Sequence, residues 1–392
     1  MEPASLPWIT RLISLDTTSR DSNLELIEMV AEELRGHGIE PTLFPTEDGR
    51  KANLVATVPA ADGSRAGGVV LSGHTDVVPV DGQSWSSDPF TPEIRDGRLY
   101  GRGTCDMKSF IGVAMHLLPR MVDASLREPI HLALTYDEEV GCIGGDAIVR
   151  QIPELGLTPR LCFVGEPSSM RVIRAHKAIN LLEVTVHGVA AHSSLTPQGA
   201  NAIHYAAELI GYVHGLARRW RDQGPYDDRY RVAYTTTGVN LIEGGNAGNT
   251  VPARCTLQLE FRALSAVDPA EVIAGIRAEA AEIEKRMQRE QPTARVEIRE
   301  LSAVPGLDTA TDSAAAALAV ELGGHASDDK VTYGTEAGQF AGIGVDTVVC
   351  GPGDIAQAHA PDEFVDLDQI EQCERFVAAL VDHLSAEPES PR

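Results

Sequence analysis

The stretch VVLSGHTDVVP, residues 69–79, joins a short apolar run to a histidine and an aspartate. Val69–Leu71 has the β-branched, apolar composition of a buried strand, and His74 and Asp76 follow it closely. Side chains two residues apart at the end of a strand point to the same face. The stretch therefore predicts a buried strand that presents an imidazole and a carboxylate at its carboxyl end.

Short apolar runs of the same kind recur through the first part of the chain. Asn53–Val58, Ile130–Thr135 and Leu161–Val164 are predicted as strands, with helical periodicity between runs at Leu24–Leu34 and Met107–Leu118. This alternation favours an α/β fold with a mainly parallel sheet that is covered on both faces. Sheets of this type bind ligands at the carboxyl ends of their strands, so we expect the functional side chains there.

From about residue 177 the pattern changes to that of half-exposed antiparallel strands. Apolar and polar residues alternate in Leu181–Val186 and Thr256–Phe261. Further strands are predicted near 234–242 and 295–301, with helices near 199–216 and 268–289. The order is that of a split βαβ unit, a ferredoxin-like α+β domain (βαββαβ). We therefore predict an inserted domain at 177–304, within a main domain formed by 1–176 and 305–392.

Length, charge and cysteine usage limit the class of protein. At 392 residues the chain exceeds one ordinary core, and its net charge of −24 argues against nucleic acid as a partner. No apolar run approaches the roughly 20 residues that span a bilayer, and the first residues do not resemble a signal peptide, so we expect no membrane partner. Six cysteines occur singly, which is typical of reduced thiols and predicts a cytoplasmic protein.

Five side chains of metal-binding types lie at predicted strand–loop junctions. They are His74 in HTDVVP, Asp106 in GRGTCDMK, Glu139 in TYDEEVG, Glu166 in VGEP and His359 in AHAPDE. Singly, each has an ordinary interpretation, such as a turn histidine, a helix N-cap at Asp106 or a solvated acidic loop. Together they form a ligand set for two divalent ions that share one bridging carboxylate. We expect zinc, with cobalt or manganese as alternatives that such a site accepts.

Two further acids accompany these ligands. Glu138 precedes Glu139, and because neighbouring side chains diverge, one can face a metal while the other faces a substrate. Like charges this close are unfavourable unless a cation neutralises them or one binds a proton. Asp76 can accept a hydrogen bond from the N–H of the second ring nitrogen of His74 and so fix its tautomer. Two metals beside a free carboxylate predict hydrolysis by a metal-bound hydroxide.

The five motifs, in this order, resemble those of the metal-dependent amidohydrolases and peptidases that include acetylornithine deacetylase, succinyl-diaminopimelate desuccinylase, aminoacylase and glutamate carboxypeptidase. The resemblance runs from about residue 69 to residue 366 and includes the inserted domain, which implies a lid and dimerisation domain. It implies that one ion lies on His74 and Glu166. A second ion is then implied on Glu139 and His359, with Asp106 bridging the two.

The resemblance also implies the order of the chemical steps. Glu138 acts as the general base, and Asp76 orients His74. Glu138 takes a proton from the bridged water, the hydroxide attacks the amide carbonyl, and Glu138 returns a proton to the leaving amine.

Four residues of the inserted domain match positions that similar enzymes use near the substrate. His192 in VAAHSSLTP matches a histidine that helps to stabilise the oxyanion, often from the neighbouring subunit, which implies a homodimer. Asn249 and Thr250 in GGNAGNTVP and Arg262 in EFRAL match positions near the substrate carboxylate, for which arginine is a suitable fork. From the residues alone, a surface histidine at position 192 and a surface charge at position 262 stay open.

The segment YGTEAGQF, residues 333–340, resembles the acetylornithine deacetylases of this family in particular. Its Glu336 can pair with a substrate ammonium group such as the δ-amine of ornithine, or it can be a structural acid bonded to backbone amides. The implied reaction converts N-acetyl-L-ornithine and water to L-ornithine and acetate in arginine biosynthesis. The alternatives are another N-acyl-amino-acid deacylase, a desuccinylase, or a non-catalytic carboxylate-binding protein on this fold.

Overall fold

The chain divides into two compact units in a computed structural model that describes residues 2–385. The first unit comprises Met1–Ala175, Asp308–Asp329 and Thr335–Arg392, and the second comprises His176–Leu307 and Lys330–Gly334. The second unit thus takes in a short later segment, at 330–334, that the predicted continuous insertion of 177–304 did not include.

The elements of the chain follow one another in three runs. Before the second unit they are α1 (Leu6–Ile13), α2 (Leu24–Gly36), β1 (Thr42–Pro45), β2 (Ala52–Val58), β3 (Val69–His74), β4 (Glu93–Arg95), β5 (Arg98–Tyr100), α3 (Lys108–His116), α4 (Leu118–Asp123), β6 (Ile130–Thr135), α5 (Ile143–Glu154), β7 (Leu161–Pro167), β8 (Arg171–Val172) and β9 (Ala175–His176). In the second unit they are β10 (Ala178–His187), a 3₁₀ helix (Ser193–Gln198), α6 (Ala202–Gln223), β11 (Thr236–Gly244), β12 (Arg254–Ala263), α7 (Pro269–Glu290) and β13 (Arg295–Val304). After it come β14 (Leu307–Asp308), α8 (Ala314–Glu321), β15 (His325–Ala326), α9 (Ala337–Gly342), β16 (Asp346–Gly351), β17 (Phe364–Asp366) and α10 (Leu367–Leu384).

The first unit is built on a six-stranded sheet in the order β1–β2–β6–β3–β7–β16. Strands β6, β3, β7 and β16 are parallel, while β1 and β2 add an antiparallel edge. Every residue of β2, β3 and β6 is buried, in a core shared with α1, α2, α3 and α10. The predicted α/β fold with a mainly parallel sheet is confirmed.

The carboxyl ends of the parallel strands carry the predicted ligands. Strand β3 ends at His74, which is in register with Thr135 at the end of β6. Glu166 lies in the last residues of β7, and His359 follows β16 in the chain. Because parallel strands end at one edge of a sheet, residues far apart in sequence meet there.

The second unit is a four-stranded antiparallel sheet in the order β11–β12–β10–β13. Along β12 and most of β10, buried residues alternate with partly exposed ones. Their buried side chains pack with α6 and α7, as Leu182 and Leu257 do with Leu209 and Ile283. The predicted split βαβ arrangement is confirmed.

Two local features differ from the sequence prediction. The predicted single helix over 107–118 is two helices, because α3 ends at His116 and Pro119 stands in the first turn of α4. Proline lacks the N–H that a continuous helix needs, but it fits a first turn. The stretch before residue 100, in which no strand was predicted, contains β4 and β5, which join β17 in a small sheet.

All six cysteines lie within the described residues, and each is buried and free. In this described part of the chain, no helix combines the length and the apolar character that crossing a membrane requires.

Candidate metal centre

Asp106 lies between two histidines at the edge of the sheet. Its Oδ1 is 2.9 Å from His74 Nε2, and its Oδ2 is 3.3 Å from His359 Nε2. On one side, His74 Nε2 is 3.7 Å from Glu166 Oε1; on the other, His359 Nε2 is 2.9 Å from Glu139 Oε2. The structure therefore brings all five predicted ligands together, with one oxygen of Asp106 facing each imidazole.

The donor atoms of this cluster fit divalent cations. Ligand atoms of His74, Asp106 and Glu139 lie within 4.8 Å of one another, and so do those of His74, Glu138 and Glu166. Among the described residues, Glu139 Oε1 and Glu166 Oε1 are buried oxygens that have no hydrogen-bond partner. A buried carboxylate oxygen is unfavourable unless it is hydrogen-bonded or coordinates a cation. Imidazole and carboxylate together are ligands that zinc and similar ions accept.

Burial and crowding shift the pKa values of the acids in this cluster. Burial, together with the nearby charge of Asp106, raises the pKa of Glu139 to about 7. Burial, with the charges of Glu139 and Asp106, raises the pKa of Glu138 to about 8. Burial also raises the pKa of Glu166 well above its ordinary value. Protons and divalent cations therefore compete for these oxygens near neutral pH.

The pKa values of the two histidines are also raised, which favours their charged forms. Hydrogen bonds to Asp106 and Glu139 raise the pKa of His359 to about 10. Burial alone would lower the pKa of His74, but its contacts with Asp106 and Asp76 raise it. Burial opposes ionisation of Asp106, yet the two histidines hold the pKa of Asp106 below its ordinary value. Asp106 is thus the acid of the cluster that is ionised most readily.

Asp106 reaches the cluster from a tightly packed loop before α3. The N-cap of α3 is Met107, without a side-chain capping bond, so Asp106 does not take the alternative role of an N-cap. Gly103 has a φ of 84°, and a Cβ there would lie 2.9 Å from Val77 Cγ1. The close approach of this loop to the sheet therefore requires a glycine at position 103.

The contact of Asp76 with His74 differs from the predicted one. His74 Nδ1 is 2.9 Å from the backbone carbonyl of Asp76 and 3.6 Å from its Oδ1. Because a carbonyl only accepts, Nδ1 donates to it and Nε2 faces the cluster. The carboxylate of Asp76 instead accepts the backbone N–H groups of Glu138 and Glu139, at 3.1 and 3.3 Å, and the hydroxyl of Ser19 at 2.7 Å. Asp76 therefore orients both His74 and the following pair of acids.

Glu138 is held by Cys142, which the sequence did not single out as a site residue. The thiol of Cys142 donates to Glu138 Oε1 at 3.1 Å, and its backbone N–H donates to the carbonyl of Glu138 at 2.8 Å. A cysteine four residues beyond an acid in a loop gives no signal in the sequence, because the contact depends on how the loop folds back.

Glu336 lies beneath the cluster rather than in it. It is 1% exposed, and its two oxygens accept the hydroxyls of Ser72 at 2.5 Å and Thr135 at 2.8 Å. These partners brace β3 and β6, the strands that lead to His74 and to the acid pair. The structure favours a structural role for Glu336, with hydroxyl partners in place of the expected backbone amides, over contact with a substrate ammonium group.

Three of the four predicted substrate residues of the second unit lie together in surface segments. His192 is exposed, and its Nδ1 accepts the backbone N–H of Ser194 at 3.2 Å at the start of the 3₁₀ helix. His192 forms a bridge with Thr250, while the carbonyl of Asn249 accepts the N–H of Ser193 at 2.9 Å. His192, Asn249 and Thr250 are thus neighbours.

Arg262 lies on β12 with its side chain opposite to that of Phe261, as its place in an alternating strand predicts. Phe261 is fully buried, whereas the side chain of Arg262 is partly exposed and forms an ion pair with Glu260. An exposed pair of this kind contributes little to stability, so Arg262 can exchange partners at small cost.

Residues 70–383 match the family model described as Peptidase family M20/M25/M40. An acetylornithine deacetylase from Myxococcus xanthus is 34% identical, over 97% of this chain and 97% of the relative. Two solved structures share the fold at low identity. An M20 family metallo-carboxypeptidase from Sulfolobus solfataricus has a TM-score of 0.70 at 19% identity and covers 96% of this chain and 98% of its own. A dinuclear metal-binding peptidase from Bacillus subtilis has a TM-score of 0.63 at 16% identity, with 97% and 98% covered.

Proposed function

The chain belongs to peptidase family M20/M25/M40 and is a metal-dependent amide hydrolase, and from that premise we propose that it hydrolyses N-acetyl-L-ornithine to L-ornithine and acetate in arginine biosynthesis. Identity of 34% to an acetylornithine deacetylase over nearly the whole of both chains supports this substrate. The observation that carries the reaction type is Asp106, whose two oxygens face different imidazoles, with the carboxylate of Glu138 within 4.8 Å of ligand atoms of His74 and Glu166.

We assign two divalent ions to the cluster, zinc first, with cobalt or manganese as alternatives. His74 and Glu166 would hold one ion, Glu139 and His359 the other, and Asp106 would bridge them. Support comes from the distances between these side chains and from the buried Oε1 atoms of Glu139 and Glu166, which have no hydrogen-bond partner among the described residues. Such ions lower the pKa of water and polarise an amide carbonyl.

Glu138 is the general base in this proposal. Burial raises the pKa of Glu138 in the metal-free cluster, and the positive charge of two bound ions would favour its ionised form, which can accept a proton. The carboxylate accepts a proton as water adds to the amide carbonyl, and it returns a proton to the leaving amine. Cys142 and Asp76 hold the side chain and the backbone of Glu138 during this exchange.

A broader N-acyl-amino-acid deacylase is the second candidate, and the burial of Glu336 favours it. A carboxylate that is 1% exposed and accepts two hydroxyls offers nothing to the δ-ammonium of ornithine. If ornithine is the substrate, other groups recognise that ammonium. We propose Arg262, Asn249 and Thr250 for the carboxylate that both kinds of substrate share.

A homodimer through the second unit, with His192 donating to the oxyanion across it, is also proposed. Leu241 and Ile242 are 57% and 55% exposed on β11, an edge strand that offers unpaired backbone groups. Sedimentation of the purified chain as a monomer would contradict the proposed homodimer. His192→Ala should slow turnover more than about tenfold, and an unchanged rate would leave His192 a surface residue.

The six free, buried cysteines support a reducing compartment, and we propose the cytoplasm on that ground. Isolation of the native chain with disulfide-bonded cysteines would contradict this location.

The reaction is tested with purified chain reconstituted with zinc or cobalt. We compare kcat/KM for N-acetylornithine, N-acetylmethionine and N-succinyl-diaminopimelate. Preference for N-acetylornithine supports the first proposal, and comparable turnover of N-acetylmethionine supports the second. Glu138→Gln should retain metal content and lose turnover on every substrate; near-normal activity in that variant would remove Glu138 as the base.

A further inference from the structure

One buried carboxylate, Glu363, joins the loops that carry Asp106 and His359. It is 1% exposed, and the reaction proposed above does not use it. Its Oε1 accepts the backbone N–H groups of Gly103 at 3.0 Å, Cys105 at 2.8 Å and Asp106 at 3.1 Å. Three N–H groups that converge on one oxygen fix the peptide planes leading to Asp106, because bonds to an ionised acceptor are strong and directional.

The second oxygen of Glu363 extends this contact to the backbone of the His359 loop. Oε2 accepts from the guanidinium of Arg102, which is also 1% exposed. Arg102 donates to Gln83 Oε1 at 2.7 Å, and Gln83 Nε2 donates to the backbone carbonyl of His359 at 2.9 Å. A path of hydrogen bonds through Glu363, Arg102 and Gln83 therefore connects the backbone of Asp106 to that of His359.

We propose that Glu363 is a positioning residue that holds Asp106 in the orientation in which its two oxygens face His74 and His359. The inference rests on the two-ion site of the proposed function. A shared ligand has to satisfy two ions at once, so a small rotation of its loop weakens both. Residues that orient metal ligands through hydrogen bonds typically change affinity by about 10–100-fold when they are replaced.

A purely structural ion pair is the competing explanation, and it makes a different prediction. Loss of one partner of a buried pair destabilises the fold whatever the ions do. It would lower the Tm of the metal-free chain and leave the affinity of the folded chain for ions unchanged. Metal affinity of the folded protein therefore separates the two explanations.

The test compares Glu363→Gln with Asp362→Asn, the same chemical change one residue earlier. Asp362 accepts the N–H and hydroxyl of Ser86, at 2.9 and 2.8 Å, and does not belong to the path described above. Affinity for zinc and for cobalt is measured on the full chain by competition with a chelator. We expect Glu363→Gln to bind at least one ion about 10–100-fold more weakly, with an altered visible spectrum of the cobalt form. Asp362→Asn should match the wild type in both.

Glu363→Asp keeps a negative charge beside Arg102 if the glutamine variant does not fold. It withdraws the carboxylate by one methylene, about 1.5 Å, so the three N–H bonds lengthen. It should also bind at least one ion more weakly. Wild-type affinity for both ions in whichever of these variants folds would overturn the inference and leave the proposed function intact. Failure of the wild type to bind two ions would overturn both.

Discussion

The proposed base, Glu138, accepts a hydrogen bond from the thiol of Cys142, a residue of the same loop. Cys142 has a φ of 52° and is buried, so its thiol points back to Glu138 Oε1 rather than to solvent. A bond to one carboxylate oxygen leaves the other to exchange a proton, and it restricts the rotation of the side chain.

We expect Cys142→Ala to lower kcat by roughly fivefold, the equivalent of one neutral hydrogen bond. KM and metal content should be unchanged, because Cys142 contacts Glu138 and none of the assigned ligands. Cys142→Ser keeps a donor at the same position and should recover most of the rate. Steady-state kinetics on the three proteins check this, and equal rates for the alanine and serine variants would contradict it.

From the burial of His176 we predict how the stability of the second unit depends on pH. It is completely buried, Nδ1 is 3.0 Å from the carbonyl of Lys177, and burial lowers the pKa of His176 to about 4. As pH falls below about 6.5 the unfolded chain binds a proton that the folded chain does not, so the free energy of unfolding falls between about pH 6.5 and pH 4. The loss amounts to roughly 3 kcal/mol.

Urea unfolding at pH 7 and pH 4.5 measures this effect. His176→Gln should show a smaller decrease in unfolding free energy than the wild type, because the titrating group is gone. His214→Gln, a change at an exposed histidine of α6, should retain the wild-type decrease. A wild-type pH dependence in the His176 variant would show that His176 is not the source of the lower stability at acidic pH.

Metal chemistry made the grouping of the five proposed ligands predictable, because few residue types bind divalent ions and each stands at a strand–loop junction. The residues that hold these ligands in place were not predictable in the same way. The bond between Asp106 and Glu363 spans 257 positions, and nothing local in either motif indicates it. The residue Asp76 was identified, but whether its carbonyl or its carboxylate meets His74 depends on backbone torsions. The sequence left two roles open for Glu336, and its burial, which favours the structural one, cannot be read from a short segment.

At the scale of elements, periodicity succeeded where a strand or helix is long and one face is buried. Strand β6 has the predicted bounds of Ile130–Thr135, and α7 lies one residue from its predicted bounds at each end, whereas α6 continues to Gln223, past its predicted end at 216. Strands β4 and β5 have three residues each, too few to show a period, and β5 pairs both with β4 and with the distant β17. Such short strands depend on distant partners.

Helix α6 starts at a side-chain cap that can be tested directly. Asn201 Oδ1 accepts the backbone N–H groups of Ile203 at 3.0 Å and His204 at 3.2 Å. Asn201→Ala should lower the free energy of unfolding by about 1 kcal/mol, since two helix N–H groups lose their acceptor. Asn201→Asp retains the acceptor and adds a charge that the helix dipole favours, so it should keep wild-type stability. Chemical denaturation of the two variants measures these free energies. An equal loss of stability in both would contradict the role of Asn201 as a helix cap.

At the scale of the whole molecule, the two units differ in what ions do for them. All five proposed ligands lie in the first unit, as do Glu138 and Glu363. Ions that bind only the folded form stabilise the unit that holds them, by about 4 kcal/mol at a free concentration a thousand times Kd. The second unit contains none of these residues.

A chelator should therefore lower the Tm of the first unit and leave that of the second unchanged. Differential scanning calorimetry with and without the chelator measures this, and replacing Asp106 by Ala should abolish the difference between the two scans. Equal shifts of both transitions would show that the ions stabilise the second unit as well.

The sheet of the first unit is interrupted in the chain by the whole second unit, since β7 and its neighbour β16 lie on either side of it. On the ribosome, β3, β6 and β7 emerge with four of the five ligands, but β16, His359 and Glu363 follow only after the second unit has been synthesised. Domains fold as units during synthesis, so the second unit can fold while the first still lacks an edge. A nascent chain up to that point contains the crowded group of acids but lacks Glu363, the residue that we propose orients Asp106. The proposed metal site can be complete only after the loop that carries His359 has been synthesised, so we expect no hydrolysis before that point of translation.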